Sequence, residues 1–212
     1  MEIEGSSKDY KNKALTRKDL DPDPVKQFEK WFKEAGETEI EFPNAMSLAT
    51  ASIQGVPTIR TVLLKMFDAN GFVFFTNYES KKAKQIRENP NVAILFLWEA
   101  LGRQVTITGS AAKISTAESF KYFSSRDKGS QLGAWISQQS SVISSRQFLE
   151  MKFQEIKRKF SDGVIPLPSF WGGYRIVPKT FEFWQGRPSR LNDRFLYSHT
   201  DDQLWTIQRL AP

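Results

Sequence analysis

Residues 45–77 read AMSLATASIQGVPTIRTVLLKMFDANGFVFFTN, and the rhythm of this stretch decides the fold class. Ala45–Ile53, Thr58–Phe67 and Phe72–Asn77 are short runs rich in Val, Ile, Leu, Thr and Phe, residue types that suit a pleated, half-buried surface. Gln54-Gly55 and Asp68-Ala69-Asn70-Gly71 separate them with turn chemistry. Three strands on hairpin-length turns form an antiparallel meander, which suggests a barrel or strongly bent sheet.

Working outward, a helix is expected at about 80–88, then strands at Val92–Trp98 and Gln104–Ile114. Upstream, Asp23 is placed to cap a helix with Pro24 in its first turn. Val25, Phe28, Trp31 and Phe32 follow i, i+3, i+6, i+7 spacing along it and predict its buried face. Downstream, Ser115-Thr116-Ala117-Glu118 is a capping box. Helices follow Gly129-Ser130 and at about 145–160, before strands at Trp171–Val177, Thr180–Trp184, Arg194–Ser198 and Leu204–Arg209. The expected architecture is mainly β with flanking α-helices. Residues 21–212 form one domain, and the polar residues 1–20 form a mobile N-terminal segment.

Composition narrows the chemistry. Hydrophobic residues make up 40% of the 212 and aromatics 13%, enough to bury a core. Cysteine is absent and His199, expected in a loop facing solvent, is the single histidine. Disulfides, thiol nucleophiles and Cys- or His-rich metal sites are therefore excluded, and the chemistry falls to carboxylates, hydroxyls, cations or a bound cofactor. The formal charge of +6 is spread without a Lys/Arg block, which points to small phosphorylated ligands rather than nucleic acid. The longest apolar run, Val92–Trp98, is far short of the about 20 residues of a membrane helix. With no signal-peptide pattern at the N-terminus, a cytoplasmic protein is expected.

Five clusters are rich in anion-binding groups. Arg60-Thr61-Val62-Leu63-Leu64-Lys65 carries a cation at each end. Residues five apart on a strand face opposite ways, so these two serve two anions, or one anion and the solvent, unless the strand twists or bulges. Thr76 to Lys82 runs from a strand into a helix N-terminus, where free N–H groups and the dipole favour a phosphate; a solvated first turn is the alternative. Tyr122 and Arg126, four apart, are expected on one helix face, with Ser130 at the next helix start. Gln138-Gln139-Ser140-Ser141 is either a polar contact run or a plain helix end. Trp184, Arg190 and Arg194 surround a turn and could clamp a flat anionic ring.

In this order the segments resemble the pyridoxamine/pyridoxine 5'-phosphate oxidase family from about residue 20 to 212. The specific pieces are Arg60–Lys65 (RTVLLK), Ser130–Trp135 (SQLGAW), Gln139–Ser141 (QSS), Phe170–Tyr174 (FWGGY), Glu182–Gly186 (EFWQG) and the terminal Arg209-Leu210-Ala211-Pro212. The resemblance implies an FMN-binding split β-barrel homodimer. It would oxidise pyridoxamine or pyridoxine 5'-phosphate to pyridoxal 5'-phosphate, with O2 as acceptor and H2O2 as by-product. It implies flavin contacts from Arg60, Thr61, Val62, Leu63, Leu64, Lys65, Phe75, Thr76, Lys81, Lys82 and Gln104. Gln139, Ser140, Trp184 and Arg194 would reach the same flavin from the partner subunit. Lys65, Tyr122, Arg126 and Ser130 would hold the substrate phosphate. Arg190 would lie over the pyridine ring as a catalytic contact with Asn192, and Tyr10 would close over the substrate.

Three positions depart from the family pattern. Asn192 stands in Arg190-Leu191-Asn192-Asp193 where the family has histidine, so an amide that does not titrate near neutrality replaces an imidazole. Lys81 stands where arginine is usual. Ser7-Lys8-Asp9-Tyr10 replaces an Arg-x-x-Tyr lid element. The competing expectations are a split-barrel flavoprotein with another substrate and a non-enzymatic binder of FMN or pyridoxal phosphate.

Overall fold

The computed structural model of the protein describes residues 10, 12–136, 139–161, 163–200 and 204–212. Helix α1 (Pro24–Gly36) starts on the Asp23 cap, whose carboxylate accepts the Val25 N–H at 2.8 Å. A sheet follows, interrupted by helices: β1 (Ala45–Ala51), β2 (Pro57–Leu63), β3 (Met66–Asp68), β4 (Gly71–Asn77), α2 (Lys81–Glu88), β5 (Asn91–Trp98) and β6 (Arg103–Lys113). Three helices, α3 (Thr116–Ser125), α4 (Lys128–Ile136) and α5 (Arg146–Lys159), precede β7 (Trp171–Gln185), β8 (Asp193–His199) and β9 (Trp205–Leu210).

All pairings are antiparallel, in the order β2-β1-β5-β6-β7-β4-β3, with β8 on β7 and β9 on β8. The two ends of that order, β2 and β3, are consecutive in the chain and joined only by Leu64 and Lys65. The sheet therefore curls back on itself. Where one strand was expected over Thr58–Phe67, the chain changes partner: Leu64 N–H bonds Asn44 O beside β1, and Lys65 N–H bonds Val73 O of β4, both at 2.9 Å. A second difference lies in β7, a single strand where two were expected. The register slips one residue between Thr108↔Thr180 and Gly109↔Pro178, so Lys179 is accommodated as a bulge and the strand continues. Gly109 has no room for a side chain there, since a Cβ would stand 2.2 Å from Val177 O.

Helix α1 closes the curled sheet. Phe28 and Trp31 are fully buried, and Val25 and Phe32 pack on them half-buried. The Phe28 ring meets Phe67, Phe72, Phe96 and Trp98 at centroid distances of 5.1, 4.9, 4.9 and 5.9 Å, each such pair adding about 0.5–1.5 kcal/mol beyond burial. A smaller apolar cluster of Phe123, Leu132, Ala134, Ile165 and Trp171 fastens α3 and α4 beside the end of β4.

The expected mobile segment 1–20 is anchored over much of its described part. Leu15 and Leu20 are buried in the core. Leu15 N–H donates to Asp193 Oδ2 at 2.9 Å, and Asn12 Nδ2 donates to Leu101 O at 2.9 Å. The Tyr10 ring fills a slot over Gly102 and Gly186, where Cβ atoms would lie 2.5 and 2.3 Å from it. Ser7, Lys8 and Asp9 of the lid element, and Gln138, lie outside the described residues. His199 is the last residue of β8 rather than a loop residue, with its ring 3.7 Å from that of Trp205.

Candidate active site

The bend at Leu64-Lys65 and the end of β4 open a cavity of about 520 Å³ between the curled sheet and the helices α2, α3 and α4. Strand β2 and the bend contribute Arg60, Thr61, Val62, Leu63 and Lys65, while β4 contributes Phe75, Thr76 and Asn77. Both ends of the RTVLLK stretch border one cavity, which alternation along an unbroken strand forbids and the bend permits. Leu64 instead turns into the core, buried.

Helix α2 carries Lys82 into the cavity on the Ser80 cap, whose hydroxyl accepts the Ala83 N–H at 3.4 Å. Lys82 Nζ donates to Thr76 Oγ1 at 3.1 Å and to Gln139 Oε1 at 2.9 Å, and Thr76 Oγ1 donates to Gln139 Oε1 at 2.8 Å. Burial, reinforced by the Arg60 charge, pulls Lys82 down to about 8. Arg60 is also lowered by burial. Lys81 is exposed, with its N–H on Ser140 Oγ at 3.2 Å, and neither residue lines the cavity.

The opposite wall is aromatic. Phe75 stacks on Tyr122 at 3.9 Å and 20°, and on Trp171 at 5.3 Å and 14°. Arg126 lies over the Trp171 ring at 4.8 Å. It is the C-cap of α3, in extended backbone (ψ 154°), rather than a residue of the helix face expected from its spacing. Ser130 sits in the first turn of α4, its N–H on Asp127 Oδ1 at 2.8 Å. Arg126 Nη1 is buried without a hydrogen-bond partner among the described residues, a state that costs about 1–3 kcal/mol or more for a charged donor. Burial accordingly lowers the Arg126 pKa, against the pull of Tyr122 and Asp127. Among the described residues, Arg60, Lys65, Lys82 and Arg126 form no ion pair with a carboxylate. Cations gathered around a stacked aromatic wall, with one buried donor unpaired, suit a flat ligand bearing phosphate.

The other predicted residues lie elsewhere. Gln104, Trp184 and Arg194 are directly opposite one another on β6, β7 and β8, on the sheet face away from the buried Val105, Phe183 and Phe195. Tyr10 meets Trp184 edge-on at 5.7 Å, and Arg194 pairs with Glu182 at 2.7 Å. Arg190 is exposed in the β7–β8 loop, where Ser189 and Arg190 have φ of 55° and 59°. Asn192 Oδ1 accepts the Arg187 N–H at 3.0 Å.

A family model described as Pyridoxamine 5'-phosphate oxidase matches residues 32–160, and one described as Pyridoxine 5'-phosphate oxidase C-terminal dimerisation region matches residues 171–212. The chain belongs to the pyridoxamine 5'-phosphate oxidase family. It is 68% identical over 212 residues to the pyridoxine/pyridoxamine 5'-phosphate oxidase of Rippkaea orientalis, with 100% of both chains covered. It is 58% identical to the enzyme of that name from Aliarcobacter butzleri, again covering 100% of both. Among solved structures, PhzG from Burkholderia lata 383, in complex with tetrahydrophenazine-1-carboxylic acid, matches with a TM-score of 0.88 at 26% identity, covering 94% of this chain and 98% of that one.

Within this oxidase-family fold the predicted residues group differently from the resemblance. Gln104, expected with the β2 and α2 contacts, stands in register with Trp184 and Arg194. Gln139 and Ser140, expected to act across a subunit boundary, bond to Thr76, Lys82 and Lys81 of their own chain. Gly133, Ala134 and Trp171, to which the sequence pattern gives no ligand role, also line the cavity, as does Asn77 of the Thr76–Lys82 cluster. Trp171 stands out in the sequence as the start of a strand and as part of the FWGGY motif, and its aromatic partners Phe75 and Tyr122 are distant in sequence.

Proposed function

We propose that the protein is an FMN-dependent oxidase that converts pyridoxamine or pyridoxine 5'-phosphate to pyridoxal 5'-phosphate, with O2 as acceptor, and works as a homodimer. The observation that carries this reading is that Arg126, whose Nη1 is buried without a partner among the described residues, lines a cavity that also holds Arg60, Lys65 and Lys82. Arg60, Lys82, Thr76 and Gln139 would hold the FMN phosphate, with Thr61, Val62 and Leu63 alongside the cofactor. Lys65, Tyr122, Arg126 and Ser130 would hold the phosphate of the substrate. When bound there, FMN would supply the redox chemistry, as hydride acceptor for the substrate C4' carbon and as the group reoxidised by O2.

The chain's own contribution is binding and orientation. Charge-assisted hydrogen bonds fix the phosphate, and the aromatic wall keeps water from one side of the site. Arg190 would position the pyridine ring. No protein base is needed when the substrate amine is already neutral, which suits a chain without histidine in this region. The Gln104–Trp184–Arg194 row lines no part of the cavity of its own chain, and two of its three members, Trp184 and Arg194, belong to the segment that matches the dimerisation-region model. This supports a flavin site completed by a second subunit.

The test is steady-state peroxide release by the purified yellow protein with pyridoxamine 5'-phosphate and with pyridoxine 5'-phosphate, beside sedimentation of flavin-loaded and flavin-free forms. Release of peroxide with equimolar aldehyde from a dimer is expected. Tight binding of FMN and substrate with no peroxide would make the protein a binder, and a monomer retaining stoichiometric FMN would overturn the shared site.

A further inference from the structure

We propose that Gln85, which lines none of the cavity, is a positioning residue that sets the Arg60 guanidinium for a phosphate. Gln85 is buried, at 5% exposure, on the face of α2 that also carries Lys82 one turn earlier. Its Oε1 accepts two hydroxyl protons, from Thr50 and Thr58, both at 2.6 Å. Its Nε2 faces Val56 O at 3.4 Å, which fixes the amide with its oxygen toward the threonines.

The proton count gives this arrangement its direction. A hydroxyl has one proton and two lone pairs. With both protons committed to Gln85, each threonine oxygen turns lone pairs toward Arg60. Arg60 Nη1 donates to Thr50 Oγ1 at 2.7 Å and to Leu48 O at 3.0 Å, and Nη2 donates to Thr58 Oγ1. Three of the five guanidinium N–H groups are thereby used. Nε–H and one Nη2 hydrogen have no acceptor among the described residues. Those two are the donors left for an anion. Without the Gln85 oxygen, the Thr50 hydroxyl, at 2% exposure, has its proton left to compete with the guanidinium, and Arg60 loses its fixed orientation. The same amide ties the helix carrying Lys82 to the strand carrying Arg60, so it also holds the two cations at one spacing.

This inference rests on the proposed reading that Arg60 and Lys82 receive the FMN phosphate, and riboflavin, which lacks that group, separates the two. The measurement is the dissociation constant of FMN and of riboflavin for the full-length protein, stripped of flavin and titrated by fluorescence quenching. Gln85→Leu is expected to weaken FMN about ten-fold, while riboflavin affinity changes less than about two-fold. The loss should vanish when Gln85→Leu is made in an Arg60→Ala background. Should Gln85→Leu fail to fold, Thr58→Val, at a half-buried position, removes one link of the same chain and should show the same split. Equal weakening of both flavins, or no weakening of either, would overturn the proposal. Wild-type protein that binds FMN no better than riboflavin would instead overturn the phosphate reading beneath it.

Discussion

The Asn192 amide oxygen accepts the Arg187 backbone N–H at 3.0 Å, spanning the loop that holds Ser189 and Arg190 at positive φ. Two consecutive non-glycine residues in the left-handed region cost about 1–3 kcal/mol each, and a bond across the loop offsets part of that. An acceptor at position 192 is thus the requirement on the side chain. Asn192→Asp keeps the acceptor and should retain kcat/KM within about two-fold, while Asn192→Leu should lose about five- to ten-fold at unchanged FMN content. In Asn192→His a neutral imidazole can accept and a protonated one cannot. Its activity should fall below about pH 6.5, with no such step in the wild type attributable to this position. A pH–rate profile of the three variants checks this, and Asn192→Asp as damaged as Asn192→Leu would contradict it.

Arg126 combines a ligand's position with a structural debt. Its Nη1 is buried without a partner among the described residues, and the guanidinium lies over the Trp171 ring. Arg126→Met should raise the KM for the phosphorylated substrate about ten- to a hundred-fold, with flavin content unchanged. The same change should raise the melting temperature of the substrate-free protein, because an uncompensated buried charge is removed. Loss of flavin at unchanged KM would move Arg126 to the other phosphate.

Lys82 loses its proton at about 8 in the flavin-free protein. Anion affinity should therefore fall as pH rises above about 8, and FMN binding near that pH should take up protons, because a bound phosphate restores the charge. The stability of the flavin-free protein runs the other way. The folded state holds fewer protons than the unfolded one between about 8 and the ordinary lysine value, so burial of Lys82 costs less as pH rises through that window. Lys82→Arg should flatten the pH dependence of FMN binding, as isothermal titration at several pH values would reveal.

Phe28 is the centre of the aromatic packing between α1 and the sheet. Phe28→Ala should cost about 3–5 kcal/mol of stability, readable as a lowered denaturant midpoint. Phe42, exposed at 56%, should tolerate the same change within about 0.5 kcal/mol.

The strands, α1 and its cap were legible because each is specified locally, by alternation, by Asp23-Pro24 and by the spacing of Phe28 and Trp31. The cation clusters were visible as chemistry but not as geometry. Arg60 and Lys65 looked opposed because the partner switch at Leu64, set by Asn44 and Val73, leaves no mark in the strand pattern. Arg126 looked helical because spacing cannot show that α3 stops one residue earlier. Gln104, Trp184 and Arg194 become neighbours only through the order β6-β7-β8. Thr50, Thr58 and Gln85 meet through β1–β2 pairing and the seat of α2, so nothing in their local sequence marked them.

Strand β7 has consequences for how the molecule breathes. It is held by β6 along one edge over Tyr174–Gln185, by β4 on the other over Trp171–Ile176, and by β8 over Thr180–Gln185. Breaking any one of these ladders leaves most of β7 still tethered, so its amide protons reach solvent only when the whole sheet opens. Helix α5 has no fully buried residue and can open alone. In deuterated buffer the β7 amides should be the last to exchange, with protection approaching the global unfolding free energy, while those of α5 exchange early through local opening.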